Sequence, residues 1–188
     1  MGNTDNIREQ KKELRRTVKL LKENHAESAY FKESEEILAS VGMHQAFVNA
    51  QTVMAYWSIK GEVFTHDFIR KWSSKKRIIL PSVDGDVMNL KLFDGSDKLI
   101  AGDLYNIPEP DGPLFTEYEK IDLIIVPGVA FDRSNNRMGR GKAYYDKFLH
   151  DIKTPKIGIC FNFQLFDNIP FDANDIKMDV VICNTIRN

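Results

Sequence analysis

Residues 121–127, IDLIIVP, form a short continuous apolar run with turn residues directly behind it. A strand wet on one face alternates apolar and polar side chains, so this run predicts a strand covered on both faces. KIGICF at 156–161 and DVVICN at 179–184 repeat the pattern. Strands of this kind need helices on both sides, and the intervening segments supply them. Ile7, Leu14, Val18 and Leu21 are spaced by seven, four and three, one stripe of a helix over residues 5–24 whose other faces carry Lys11, Lys12, Arg15, Arg16, Lys19 and Lys22. Tyr30, Ile37, Leu38 and Val41 mark a second helix over 27–41, with Gly42 as its stop. Strands are predicted at 52–57 and 77–81, a helix at 66–72 between them, and a further strand at 87–93 after the Asp84-Gly85 turn. The Gly, Asp and Pro-rich stretch 95–113 reads as loop with short irregular elements, and 143–150 as a helix. The expected architecture is α/β, a single three-layer, Rossmann-like domain over residues 1–188 with a mostly parallel central sheet. Leu123, Ile125, Ile157, Ile159, Val180 and Ile182 are its predicted buried strand residues.

The chain's 188 residues suit one domain. Its 26 basic and 27 acidic residues give a formal charge of -1, which argues against a general nucleic-acid binder and makes any anion site local. No run of roughly 18 apolar residues is present, and MGNTDNIREQKKELRR lacks an apolar signal region, so neither a membrane partner nor export is expected. Asn6 replaces the Ser or Thr of a myristoylation signal after Met1-Gly2. Cys160 and Cys183 stand in apolar contexts as small buried hydrophobes, and with no targeting signal a cytoplasmic location is expected. A monomer is also expected, a reading that rests on no sequence motif.

The informative segment for chemistry is 121–149, where the buried strand ends at Pro127-Gly128 and a loop carries Arg133, Arg137, Arg140 and Lys142 into a helix. Open α/β sheets bind ligands at the carboxyl ends of strands, and Gly139 and Gly141 around Arg140 let backbone and guanidinium approach one anion. Arg137, Arg140 and Lys142 together match most of the charge of a triphosphate; the alternative is a solvated basic loop. The spacing is neither a Walker loop nor a dinucleotide fingerprint. Lys11 and Arg15, four apart on one helix, could provide a second phosphate grip or simply be solvated. Asp146 and Asp175 are the better of the scattered carboxylates for a nucleotide-bound magnesium, which needs only one or two. Trp57 and Glu62 suit an amino-pyrimidine-type ring, the carboxylate accepting its N–H groups; packing and helix capping are the alternatives. Four scattered histidines, no Gly-x-Ser-x-Gly elbow and no base beside either cysteine leave zinc and covalent nucleophilic chemistry unsupported. A sugar-phosphate isomerase would also use a basic loop at a strand end, and an RNA-binding or nucleotide-binding module is the non-enzymatic reading.

VPGVAFDRSNNRMGRGKAYYDKFL, the N-terminal KKELR, YWSIKGEVFT, NIPEP and FNFQLFDNIPFDANDIKMDVV together resemble the 5-formyltetrahydrofolate cyclo-ligase family, also called 5,10-methenyltetrahydrofolate synthetases, from about Lys11 to Thr185. The resemblance implies ATP and magnesium, and cyclisation of 5-formyltetrahydrofolate to 5,10-methenyltetrahydrofolate through a phosphorylated formyl oxygen, with release of ADP and phosphate. Carried over by position, the nucleotide grip would be Lys11, Lys12, Glu13, Leu14 and Arg15 with Arg137, Met138, Gly139, Arg140, Gly141, Lys142, Ala143, Tyr144 and Tyr145. Trp57 and Glu62 would contact the folate, and magnesium would lie near Asp146 and Asp175. Arg140, Lys142 and Tyr145 would act at the reacting groups. Ala143 stands where the family commonly has glycine, and Trp57 where it has an apolar residue that is not always aromatic.

Overall fold

The computed structural model describes residues 3–102 and 107–184. Met1 and Gly2, Asn106 of the NIPEP run, part of the 95–113 loop and Thr185 lie outside the described residues. In chain order the elements are α1 (Asn3–Glu23), α2 (Glu27–Met43), α3 (Gln45–Asn49), β1 (Thr52–Met54), α4 (His66–Ser73), β2 (Arg77–Asp84), β3 (Val87–Leu92), β4 (Leu99–Ala101) and β5 (Pro108–Pro110). There follow β6 (Leu123–Pro127), β7 (Ala130–Asp132), β8 (Arg137–Met138), α5 (Tyr144–Leu149), β9 (Lys156–Cys160), β10 (Leu165–Phe166) and β11 (Val180–Cys183). None of the described helices is long and apolar enough to cross a membrane.

Six strands form the central sheet in the order β11-β9-β6-β1-β2-β3, every pairing parallel except β2 with β3. Side chains alternate between its faces. Val53, Ile78, Leu80, Leu123, Ile125, Ile157 and Ile159 pack with Ile37, Val41, Phe47 and Ile69 of α2–α4, whereas Met54, Ile79, Ile124, Val126 and Cys160 pack with Leu149 of α5. Both faces are apolar because both are covered, as the unbroken runs predict. Four of the six predicted buried residues are at most 2% exposed, but Val180 and Ile182 are only partly buried. The reason is position: β11 is an edge strand with a neighbour on one side only.

The topology fixes where a ligand can enter. β1 crosses over through α4 to β2, while β6, its other neighbour, crosses through α5 to β9 in the opposite direction. The strand order therefore reverses between β1 and β6, and in such sheets the diverging connections leave a crevice beyond the strand ends. The segments after β1 and β6 are those that carry Trp57 with Glu62 and the basic loop.

That loop contains more structure than its sequence suggests. β7 and β8 form a hairpin with β10 beside β7. Asp132, 1% exposed, ties the turn by accepting from the Ser134 and Asn136 backbone N–H groups, the Asn136 amide and the Ile169 N–H. Strands of two or three residues are too short to leave a periodic signature, which is why this region reads as loop. Val18 of α1 packs on Ala130, Met138 and Ile169, so the N-terminal helix lies on the hairpin.

Candidate active site at the β1/β6 switch point

A solvent-open cleft occupies the switch point. One wall follows β1 and holds Tyr56, Trp57, Ile59 and Glu62; the other follows β6 and holds Gly128, Arg137, Gly139, Arg140, Lys142 and Tyr145. Pro81, Val83 and Met88 from β2 and β3 and Glu109 from β5 complete it.

Arg137 departs most from expectation. It lies in β8, is 3% exposed, and donates through Nη2 to Asp146 Oδ1 at 2.7 Å and through Nη1 to the Pro127 carbonyl at 3.3 Å. A guanidinium already paired in this way cannot also serve as a free arm for phosphate, so the expected trio of loop cations reduces to Arg140 and Lys142. Arg133, the fourth loop cation, is exposed and pairs with Asp167. Lys142 lines the cleft, exposed and with no ion-pair partner among the described residues.

Gly141, at φ +102°, and Ala143, at φ +56°, give the loop its tight path into α5. The left-handed region is easy for glycine and strained for alanine. Behind Ala143, Tyr144 donates to the Gly85 carbonyl at 2.9 Å, tying α5 to the β2–β3 turn. The Tyr145 ring lies 5.5 Å from the Arg137 guanidinium, and its hydroxyl is buried with no hydrogen-bond partner among the described residues. Burial, reinforced by the Glu62 charge and opposed by Arg137, pushes the Tyr145 phenol well above its ordinary range. It therefore remains a proton-bearing donor and is no candidate for a base near neutral pH.

Glu62 and Arg140 fall in separate sequence segments, which suggests separate ligands. The fold joins them: Arg140 Nη2 donates to Glu62 Oε1 at 2.8 Å. The other carboxylate oxygen accepts from the Ile59 N–H at 3.1 Å and closes the turn 59–62. Trp57 is 8% exposed, and His66 stacks on it at a centroid distance of 3.8 Å and 13° between planes. Phe93 also stacks with it, at 5.7 Å and 26°, and the Arg70 guanidinium lies 5.4 Å from its centroid, so the protein itself occupies much of the indole and Trp57 meets the cleft only as part of its lining.

The α1 residues divide by helix face. Lys11 Nζ donates to Asp172 Oδ2 at 2.6 Å and Asp175 Oδ2 at 2.5 Å, and Arg15 Nε donates to the Gly139 carbonyl at 3.0 Å. Arg15 therefore reaches the glycine loop, whereas Lys11 is engaged by the loop before β11. Lys12 and Glu13 are exposed, Lys12 pairing with Glu9, and Leu14 and Met138 pack with Val18. None of these four has its side chain brought to the cleft wall.

For magnesium, Asp146 fits: it lines the cleft, uses Oδ1 for Arg137 and the Ile176 N–H, and leaves Oδ2 without a partner among the described residues. A nucleotide-bound Mg²⁺ keeps waters and phosphate oxygens and needs little more from the protein. The described residues hold no group of three or more His, Cys, Asp or Glu suited to a metal, and Asp175 is held by Lys11 away from the cleft lining.

Two contributors are absent from the sequence reading. Glu109, 7% exposed, accepts from the Ser82 hydroxyl at 2.6 Å and the Val83 N–H at 3.0 Å on the cleft wall. Tyr30 of α2 clamps the 59–62 turn, accepting from the Gly61 N–H at 3.1 Å and donating to the Glu62 carbonyl. The only sequence sign of Glu109 is its place between two prolines, and Tyr30 is indistinguishable from a core residue by periodicity.

Comparison with known proteins places the chain among its relatives. The sequence profile of the 5-formyltetrahydrofolate cyclo-ligase family matches residues 7–184. A 5-formyltetrahydrofolate cyclo-ligase of Saccharomyces cerevisiae is 31% identical over 178 residues, covering 80% of this chain and 84% of the relative; one from Escherichia coli K12 is 29% identical over 143 residues, covering 72% and 79%. The solved structure of the Aquifex aeolicus 5,10-methenyltetrahydrofolate synthetase superposes with a TM-score of 0.83 at 35% identity, covering 92% of this chain and 89% of that one. With a profile match across nearly its whole length and a solved relative sharing its fold, the chain belongs to the 5-formyltetrahydrofolate cyclo-ligase family, a family of ligases.

Proposed function

We propose that this chain converts 5-formyltetrahydrofolate to 5,10-methenyltetrahydrofolate at the expense of ATP, with magnesium, in the switch-point cleft. The observation that carries the reading is the meeting of the Arg140 loop with the Glu62 segment at 2.8 Å, because a two-substrate ligase needs its anion-binding and ring-binding elements on one cleft. The formyl oxygen takes the terminal phosphoryl group of ATP and ADP leaves. N10 then attacks the formyl carbon and loses its proton, and the C–O bond breaks, so the oxygen departs on phosphate. Neither step needs a protein nucleophile, and the described cleft lining contains no Ser, Thr or Cys.

Phosphoryl transfer is largely positioning and charge stabilisation. Arg140 and Lys142 serve the transferred group, Arg15 steadies the glycine loop through Gly139, and Tyr145 offers a protonated hydroxyl to the developing charge. Magnesium, when bound, neutralises phosphate charge; Asp146 would hold it. Glu62 accepts N–H bonds from the reduced pterin, and Trp57 bounds its ring.

The test is absorbance of the methenyl product with and without ATP, using folate labelled with heavy oxygen in the formyl group. ATP-dependent product with the label recovered in phosphate is expected. Product formed without ATP, or label retained in the folate fraction, would overturn the reading.

A further inference from the structure

Glu62 carries a difficulty once ligands arrive. Its carboxylate is only 12% exposed and its one ion-pair partner among the described residues is Arg140, which is 46% exposed on the phosphate side of the cleft. A phosphate that takes Arg140 removes that counter-charge. A part-buried carboxylate without a cation is destabilised and loses the strong acceptor character that ionised oxygens give to N–H donors.

A second cation stands behind the same turn. Lys22 follows Lys11, Arg15 and Val18 on the inner face of α1, where steps of four, three and four residues keep side chains aligned. Its stem runs against Gly61 so closely that a Cβ there would lie 2.8 Å from Lys22 Cδ and Cε and 3.1 Å from Nζ. Gly61 is also at φ +84°, a backbone conformation that favours glycine where the turn passes over the lysine. Lys22 has no hydrogen-bond partner among the described residues, yet it feels Glu62 as an attraction and Arg140 as a repulsion. Burial lowers its pKa first, and the Glu62 charge opposes that. Tyr30, Tyr56 and Tyr145 also feel the Glu62 charge, but all three are proton-bearing phenols raised by burial and none can replace a cation; Lys60, in the turn itself, is exposed.

We infer that Lys22 is a positioning residue, the reserve counter-charge that keeps the Glu62 carboxylate ionised and in place when an anionic ligand draws Arg140 away. The two ends of the turn differ in the way this requires: Tyr30 and Lys22 hold it from the packed helices, while Arg140 reaches it from an exposed loop. Lys22 thereby couples the two halves of the cleft without touching substrate. The inference rests on the folate reading of Glu62 given above.

Lys22→Met and Lys22→Arg decide the matter, with 5-formyltetrahydrofolate affinity measured by calorimetry alone and again with a saturating non-hydrolysable ATP analogue and magnesium. Lys22→Met is expected to weaken folate binding about tenfold when the analogue is present and less than twofold when it is absent, with Lys22→Arg restoring the wild-type pattern. An equal loss in both conditions, or no loss in either, would sink the inference while wild-type folate binding still supports the function. Wild-type protein that binds no folate at all would remove the functional reading, and this inference with it. Analogue affinity in Lys22→Met, expected within twofold of wild type, separates loss of coupling from collapse of the turn.

Discussion

At the scale of single residues, Ala143 and Arg140 make opposite demands. Ala143 is held at φ +56° with its backbone on the cleft wall, and a non-glycine residue in that region costs about 1 kcal/mol or more. Ala143→Gly should therefore stabilise the protein by up to about 1 kcal/mol, a rise of roughly 2–4 °C in thermal midpoint, and should not weaken ATP use; calorimetric unfolding and ATP kinetics check both halves. Arg140→Ala should raise the KM for ATP roughly ten- to hundredfold, since one charge-assisted hydrogen bond contributes about 1.5–3 kcal/mol. With Lys22 still behind the Glu62 turn, folate binding should change less than ATP use. A variant with normal ATP kinetics would refute the place given to this side chain. Arg140 and Lys142 were legible from the sequence as cations after a buried strand. What could not be read was that Arg137, two residues before the glycines, turns inward to Asp146, since a two-residue strand carries no pattern that assigns a face.

Elements are joined here by ion pairs of very different kinds. The Arg137–Asp146 pair binds β8 to α5 with side chains 2% and 15% exposed, and removing one partner of so buried a pair typically costs about 3–5 kcal/mol. Arg137→Met should lower the denaturant midpoint accordingly, and a compensating Asp146→Leu in the same chain should recover part of the loss. Lys11 instead docks α1 on Asp172 and Asp175 near the surface. Burial alone would lower the Lys11 ammonium, but the two carboxylates outweigh it and hold it above 10.5. The Lys11 hydrogen bond, aided by the Asn174 N–H, holds the Asp172 carboxyl below 3.8. The depressed carboxyl contributes stability at higher pH that is lost as pH falls through its folded value; the raised ammonium contributes below 10.5 and loses its share as pH rises through its own. Docking of α1 should be flat across neutral pH and weaken at both extremes. Hydrogen exchange of α1 amides against pH measures this directly, and Asp172→Asn with Asp175→Asn should abolish the pH dependence. The amphipathic stripe made α1 itself legible, but its place on the hairpin is a tertiary fact that no spacing encodes.

For the whole molecule, the doubly covered sheet followed from apolar runs at 121–127, 156–161 and 179–184, and the location of the site from the rule that ligands gather at strand ends. The edge position of β11 and the reversal between β6 and β1 were not readable, because pairing order depends on contacts between segments far apart in the chain. A nucleotide analogue with magnesium that binds only the folded chain should add about 2.7 kcal/mol of stability at a hundredfold excess over its Kd, visible as a concentration-dependent thermal midpoint. The span of the Lys11 pairs, 161 and 164 residues, also reaches into the history of each molecule. A ribosome extends a chain by roughly 5–20 residues per second and releases its beginning first. Helix α1 must therefore wait, basic on one side and apolar along one stripe, until Asp172 and Asp175 emerge to receive it. During that interval the nascent chain can already build β1 beside β2, yet Arg15 has no settled glycine loop to steady. Docking of α1, and with it the steadying of the glycine loop by Arg15, thus follows residues 172–175 rather than accompanying the early strands.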